Sequence, residues 1–171
     1  MRASLVALLV VACACGDDRA PGQVPAPTTA PASASHPAPA APTAGGTVYL
    51  TGSDGEVAVT VEVVDTEPTI RQGLMYRRFL APDAGMLFVP RVEQVWTFWM
   101  RNTLIPLDMI FITRDLTVAG VVARTVPLDE TPRYVDTPSL YILEVNGGWA
   151  EAHGVGAGAK VRFDGIAAVT R

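Results

Sequence analysis

Beyond Gly55 the chain is written in short apolar segments, with turn signals every eight to twelve residues, and this spacing restricts the fold more than any other feature. Val57, Val59, Val61 and Val63 alternate with Ala58, Thr60 and Glu62, the period of a half-buried strand. The run stops at Asp65-Thr66-Glu67-Pro68. Asp65 or Thr66 can cap a helix, Glu67 suits its positive end, and Pro68 is tolerated in a first turn. Ile70, Leu74 and Met75 then share one apolar face, which predicts a short helix ending near Tyr76, weakened by Gly73. Further strands are predicted over Gly85–Val89, Val95–Met100, Leu107–Thr113, Leu116–Thr125, Leu140–Val145 and Lys160–Phe163, with Ile166–Val169 as one more. Arg114-Asp115 forms the turn of a hairpin. Residues 127–138 are a polar loop with three prolines, and Trp149–His153 is one or two helical turns. Such a series implies a mainly β (α+β) fold: a compact antiparallel β-barrel or sandwich with one or two short helices.

The N-terminal third is different in kind. Arg2 followed by the apolar run Ala3–Cys15 matches a signal peptide, and the run is too short to span a bilayer as a helix. Val10-Val11-Ala12-Cys13-Ala14-Cys15-Gly16 is similar to the lipobox of bacterial lipoproteins, with Cys13 or Cys15 as the lipidated residue. Val10 favours Cys13, and Gly16 and Asp17 look like a mature start after Cys15. Residues 16–46 hold seven prolines among alanine, serine and threonine, without apolar periodicity. They read as a disordered tether, unable to bury enough surface to offset its ordering entropy. The division is therefore signal peptide 1–15, tether 16–46 and globular domain 47–171. The expected location is the cell envelope, at the outer membrane or the periplasmic face of the inner membrane, with the membrane as a partner through the lipid.

Five strings in the domain carry a resemblance. Gly73-Leu74-Met75, Gly85-Met86-Leu87-Phe88-Val89, Phe98-Trp99-Met100-Arg101-Asn102-Thr103, Ile105-Pro106-Leu107-Asp108 and Asn146-Gly147-Gly148-Trp149 occur in this order and spacing. Together they resemble the DUF192 family over roughly residues 47–165. The resemblance implies a small, mostly β domain, often exported, and brings no catalytic residues with it.

Both cysteines lie in the leader, so the domain has no disulfide, thiol nucleophile or cysteine metal site. His153 is the domain's one histidine, which argues against a catalytic zinc. No Ser-His-Asp combination, phosphate loop or dinucleotide fingerprint occurs, and Gly154, Gly156 and Gly158 read as a turn. The formal net charge is −4 and there is no basic run, so nucleic acid is not an expected partner. No cofactor and no metal are expected.

The densest polar group is Arg101-Asn102-Thr103 with Asp108, and Asp108 stands in an apolar run. A buried carboxylate needs a partner, for which Arg101 or the backbone is available. The leading expectation is a non-catalytic site for an unknown ligand or envelope protein, built from Trp99, Arg101, Asn102, Asp108, Asn146 and Trp149. Trp96 and Trp99 face opposite ways if they lie on a strand, and one of them with Trp149 and Tyr141 could form an aromatic platform, or all could be core. Two other readings stay open. Asp108 and Glu144 could be the carboxylate pair of an envelope glycan hydrolase. Met75, Met86, Met100 and Met109 could hold Cu(I), or fill the core.

Overall fold

The computed structural model describes residues 43–166. β1 (Thr43–Gly52) and β2 (Gly55–Val64) form an antiparallel hairpin in which Val48 lies across from Val59 and Leu50 from Val57. β2 runs into α1 (Glu67–Gln72) through a Thr66 cap. The Thr66 hydroxyl accepts from the Thr69 amide, and the Thr69 hydroxyl accepts from the Thr66 amide. This reciprocal pair satisfies amides that a helix start leaves bare. The helix ends at Gln72 rather than Tyr76, because Gly73 takes φ 49° at the C-cap. A Cβ there would lie 3.1 Å from the Phe88 ring, so glycine also lets the helix end sit tightly on the next strand.

That strand is β3 (Ala84–Phe88), parallel to β2. Parallel neighbours need a crossover, and α1 with the residues after it supplies one. β4 (Leu107–Ile112) and β5 (Val118–Val122) form the expected hairpin. β6 (Tyr141–Asn146) inserts between β3 and β4, α2 (Trp149–Ala152) follows, and β7 (Val161–Asp164) pairs with β1. The order across the sheet is β5-β4-β6-β3-β2-β1-β7. This one sheet curls until its edges meet. Val118 donates its amide to Ala159 O (2.9 Å), Gly158 to Val118 O (2.8 Å) and Val161 to Leu116 O (2.9 Å). The fold is mainly β, a curled half-barrel with two short helices rather than a sandwich of two sheets.

Both faces of the central strands are covered. Val48, Leu50, Val59, Val61, Leu87, Ile110, Ile112, Leu143 and Val145 fill the inside with Trp149 and Ala150 of α2. Leu74, Met86, Phe88, Met100, Leu107, Met109, Phe111 and Ile142 pack on the outside, beneath α1 and the loops. All six residues of β4 are buried, which accounts for a run that is apolar except at Asp108.

Two further expectations change. The aromatic segment Val95–Met100 is not a strand; single bridges, Gln94 with Ser139 and Phe98 with Arg133, and the Met100 amide on Asp129 O tie it down. Its rings are drawn onto the outer face of the sheet, and the β-prone composition is satisfied by packing instead of a ladder. β1 was not anticipated, and it starts at Thr43, inside the stretch read as tether. Ile166 lies outside any strand. Residues 167–169, the signal peptide, Cys13, Cys15 and the rest of the tether lie outside the described residues. Among the described residues, no helix is long and apolar enough to cross a membrane.

Candidate functional site

Side chains alternate between faces along a strand, so the two lone carboxyls of the central sheet part company. Asp108 of β4 lies across from Val145, and Glu144 of β6 lies across from Met109. They stand on neighbouring strands with their side chains on opposite faces. Asp108 points inward with Ile110 and Ile112, and Glu144 points outward with Ile142.

Asp108 is fully buried and fully engaged. One oxygen accepts from the amides of Arg124 (2.7 Å) and Gly148 (2.8 Å), and the other from Ala150 (2.9 Å). It fixes the approach to α2 and the strand exit after β5. Arg101 is not its partner; that guanidinium is at the surface, bonded to Glu130 at 2.9 Å.

Glu144 has the opposite circumstances. It is 5% exposed, and its carboxyl has no hydrogen-bond or ionic partner among the described residues. Directly beside it on the outer face are Met86 of β3 and Met109 of β4. Burial alone, with no neighbouring cation to offset it, pushes its pKa up to about 8. The carboxyl is therefore mostly protonated at neutral pH. Its oxygens are not sealed in, since no fully buried side-chain oxygen among the described residues lacks a partner. They open onto a pocket of ≈ 170 Å³.

The end of α1 and the turn after it, Ile70 to Met75, form one wall of that pocket. Phe88 and Thr103 contribute from below, and the segment Trp96-Thr97-Phe98-Trp99 forms the other wall. Phe98 is wedged edge-on between Phe88 (5.2 Å) and Phe111 (6.1 Å), and its backbone is tied both ways to Arg133. Trp96 donates its indole N–H to Val92 O. Trp99 is 47% exposed at the rim, with the Arg101 guanidinium 5.0 Å from its ring centre. Asn102, held at φ 55°, directs its amide to Met75 Sδ (3.9 Å) and accepts the Tyr76 amide on its carbonyl (2.8 Å).

Thus Trp99 lines the pocket, and Arg101 and Asn102 brace it from outside. Asp108 and Trp149 belong to the inner face. Trp149 donates to Asp83 (3.3 Å) and lies against His153, whose Nδ1 bonds Trp149 O. Asn146 donates to the carbonyls of Leu80 and Ala81, pinning the loop before β3. Trp149 and Tyr141 are core, so of the two readings left open for these rings the structure supports core packing over an aromatic platform. Trp96 and Trp99 line the same pocket, because the segment between them is irregular.

The separation of Asp108 and Glu144 onto two faces removes the glycan hydrolase, which needs both carboxyls on one substrate. Met86, Met100 and Met109 are sealed in the outer core, and Met100 Sδ accepts from Thr125. Met75 alone among them lines the pocket, so the sulfurs do not converge as a Cu(I) site would require. Among the described residues no group of three histidine, cysteine, aspartate or glutamate side chains is placed to hold a metal. Sequence reasoning did not assemble Met75, Trp96, Phe98, Thr103 and Glu144. The available signal was the density of aromatics at 96–99 together with a carboxyl amid Leu143 and Val145.

The comparisons bear on the fold and the family. A protein of unknown function from Novosphingobium aromaticivorans DSM 12444 is 41% identical, with a TM-score of 0.66, over 68% of this chain and 83% of that one. A protein from Sinorhizobium meliloti 1021, provisionally named a transcription regulator, is 37% identical, with a TM-score of 0.68, over 70% of this chain and 94% of that one. No curated protein matches the chain. The DUF192 family model, described as an uncharacterized ACR, matches residues 49–163. The chain belongs to the DUF192 family.

Proposed function

We propose that this chain is an exported, lipid-anchored envelope protein whose domain binds a small ligand in the Glu144 pocket without transforming it. The observation that carries the binding reading is the pocket itself: aromatic walls, an opening to solvent, and a buried carboxyl without a partner at the floor. Sites for small molecules have this make-up, mostly apolar with a few placed polar groups. Among the described residues that line the pocket, Glu144 is the one carboxyl, with no histidine, cysteine or lysine to share acid and base roles, which favours binding over catalysis. Nucleic acid is a poor fit. Seven arginines among the described residues are ion-paired with carboxylates, so their charge is locally neutralised.

The anchor rests on the leader and its two cysteines. With Thr43 already in β1, a tether of residues 16–42 in extended polyproline geometry would reach roughly 80 Å, which suits a domain that meets its ligand away from the membrane. Mass spectrometry of the N-terminal peptide from cells would show a diacylglyceryl group on Cys13 or Cys15; an unmodified N-terminus would remove the anchor. For the pocket, a fragment library screened on the full chain by saturation-transfer NMR should give hits that Trp99→Ala weakens. A screen whose hits all survive Trp99→Ala would remove the pocket from the binding reading.

A further inference from the structure

The binding reading leaves the ligand's chemistry open, and the pocket narrows it. Glu144 at the floor has no hydrogen-bond partner among the described residues, and the charged groups around it are already matched. Arg71 at the rim pairs with Glu67, Arg77 on the same side of the sheet pairs with Glu62, and Arg101 beyond Trp99 pairs with Glu130. The other neighbours of the carboxyl are neutral: Met86 on β3, Met109 on β4, and Ile142 and Asn146 on its own strand. The walls offer indole and phenyl rings, a thioether, two threonine hydroxyls and, from the end of α1, the polar side chains of Arg71 and Gln72. Met75 Sδ already receives Asn102, and the Thr103 hydroxyl donates to Arg101 O.

An incoming cation would meet the aromatic walls and the one group able to become its counter-ion. A primary ammonium is a compact, strongly hydrated charge with three N–H donors, and walls made mostly of rings replace that water poorly. A methylated ammonium brings few donors or none, and spreads its charge over methyl groups that favour aromatic rings. Resting on the binding reading above, we propose that the Glu144 pocket takes the head group of a small methylated ammonium cation, held between Trp96 and Trp99 over the ionised carboxyl of Glu144.

The step balances as a proton exchange. Protonated Glu144 and the free cation give the carboxylate–cation pair, and one proton passes to solvent. Because Glu144 is largely protonated at neutral pH, binding is coupled to that release. With one proton exchanged, affinity rises about tenfold per pH unit below about pH 7 and levels off above about pH 8.

Calorimetric titration of choline chloride into the full chain tests this, beside dimethylbutanol, the neutral carbon isostere. Choline is expected to bind with that slope, and its heat to vary with the ionisation enthalpy of the buffer. Dimethylbutanol is expected to bind at least about tenfold more weakly and without a slope, since it lacks the charge. Glu144→Gln should abolish both the slope and the preference while circular dichroism shows the same fold. Trp99→Ala should weaken choline roughly 3- to 30-fold with the slope intact. Failure to bind at millimolar choline, a flat pH profile, or equal affinity for the two probes would overturn the inference. Equal affinity lost on Trp99→Ala would leave the pocket as a binding site for neutral ligands. Absence of both probes and of any fragment hit would remove the binding reading as well.

Discussion

Glu144 holds its proton because ionising it would place a charge between Met86 and Met109 with nothing to answer it. That has a consequence for stability. In the unfolded chain the carboxyl has its ordinary value of 4.5, and in the folded chain about 8. Between these values the folded state binds the extra proton, so unfolding free energy falls as pH rises through this window. The loss, on the order of a few kcal/mol, should be complete above about pH 8. Thermal denaturation from pH 5 to 9 is expected to show it, and Glu144→Gln should flatten the profile and raise Tm at the alkaline end. A wild-type profile equal to that of Glu144→Gln would mean the carboxyl titrates normally. Asp129 acts in the other direction: hydrogen bonds from Thr131, then Arg133, hold it at about 2. Its contribution is present above its usual 3.8 and is lost as pH falls towards 2. In the sequence Glu144 was visible as an oddity. Its isolation was not, because what a strand residue faces depends on the register of two neighbouring strands.

At the scale of elements, one carboxylate organises two connections. Asp108 draws the amides of Gly148 and Ala150 at the start of α2 and the amide of Arg124 after β5 onto one strand. α2 has only four residues and no side-chain cap of its own, and so short a helix is marginal without tertiary support. Asp108→Ala should cost roughly 3–5 kcal/mol, because amides in a dry interior lose a charged acceptor. Asp108→Asn, which keeps the shape and one acceptor oxygen, should cost roughly half that. Urea denaturation measures both, and a loss below roughly 1 kcal/mol for Asp108→Ala would deny the lock. Fragments that bind in the Glu144 pocket should bind the folded Asp108→Asn protein as before, since the two side chains stand on opposite faces. The hairpin β4–β5, β2, β3, β6 and the short α2 were legible, each from a local pattern. β1 was not, because its two inward residues, Val48 and Leu50, follow directly on proline-rich chain and make a weak alternation. Val95–Met100 was misread for the opposite reason: its composition is strongly β-prone, but the rings are used to cover Phe88 and Phe111.

Across the whole molecule the curl of the sheet decides whether there is a pocket floor at all. Glu144 lies near the centre of a row that runs from Glu62 on β2 through Met86 and Glu144 to Met109 on β4. The row keeps its shape only while the strands keep their twist, and an open sheet edge is free to fray. Here the edges are joined by the amides of Val118, Gly158 and Val161, and Lys160 Nζ adds a bond to Thr117 Oγ1 at 2.8 Å. This seam was illegible in the sequence, since it joins segments about 40 residues apart that share no local signal. Native-state hydrogen exchange can weigh it. If the seam belongs to the cooperative unit, the amides of Val118 and Val161 exchange only through global unfolding, with protection close to that of Ile110 and Leu143 in the central strands. The exposed amides of the 127–138 loop would exchange far faster in the same experiment. Val118→Pro removes a seam donor that β4 does not use, and it should lower Val161 protection to that of a fraying edge before it alters Leu143. Rapid exchange at Val118 and Val161 in the unaltered protein would instead describe an open sheet, and the pocket floor would then have to be held from the outer face alone.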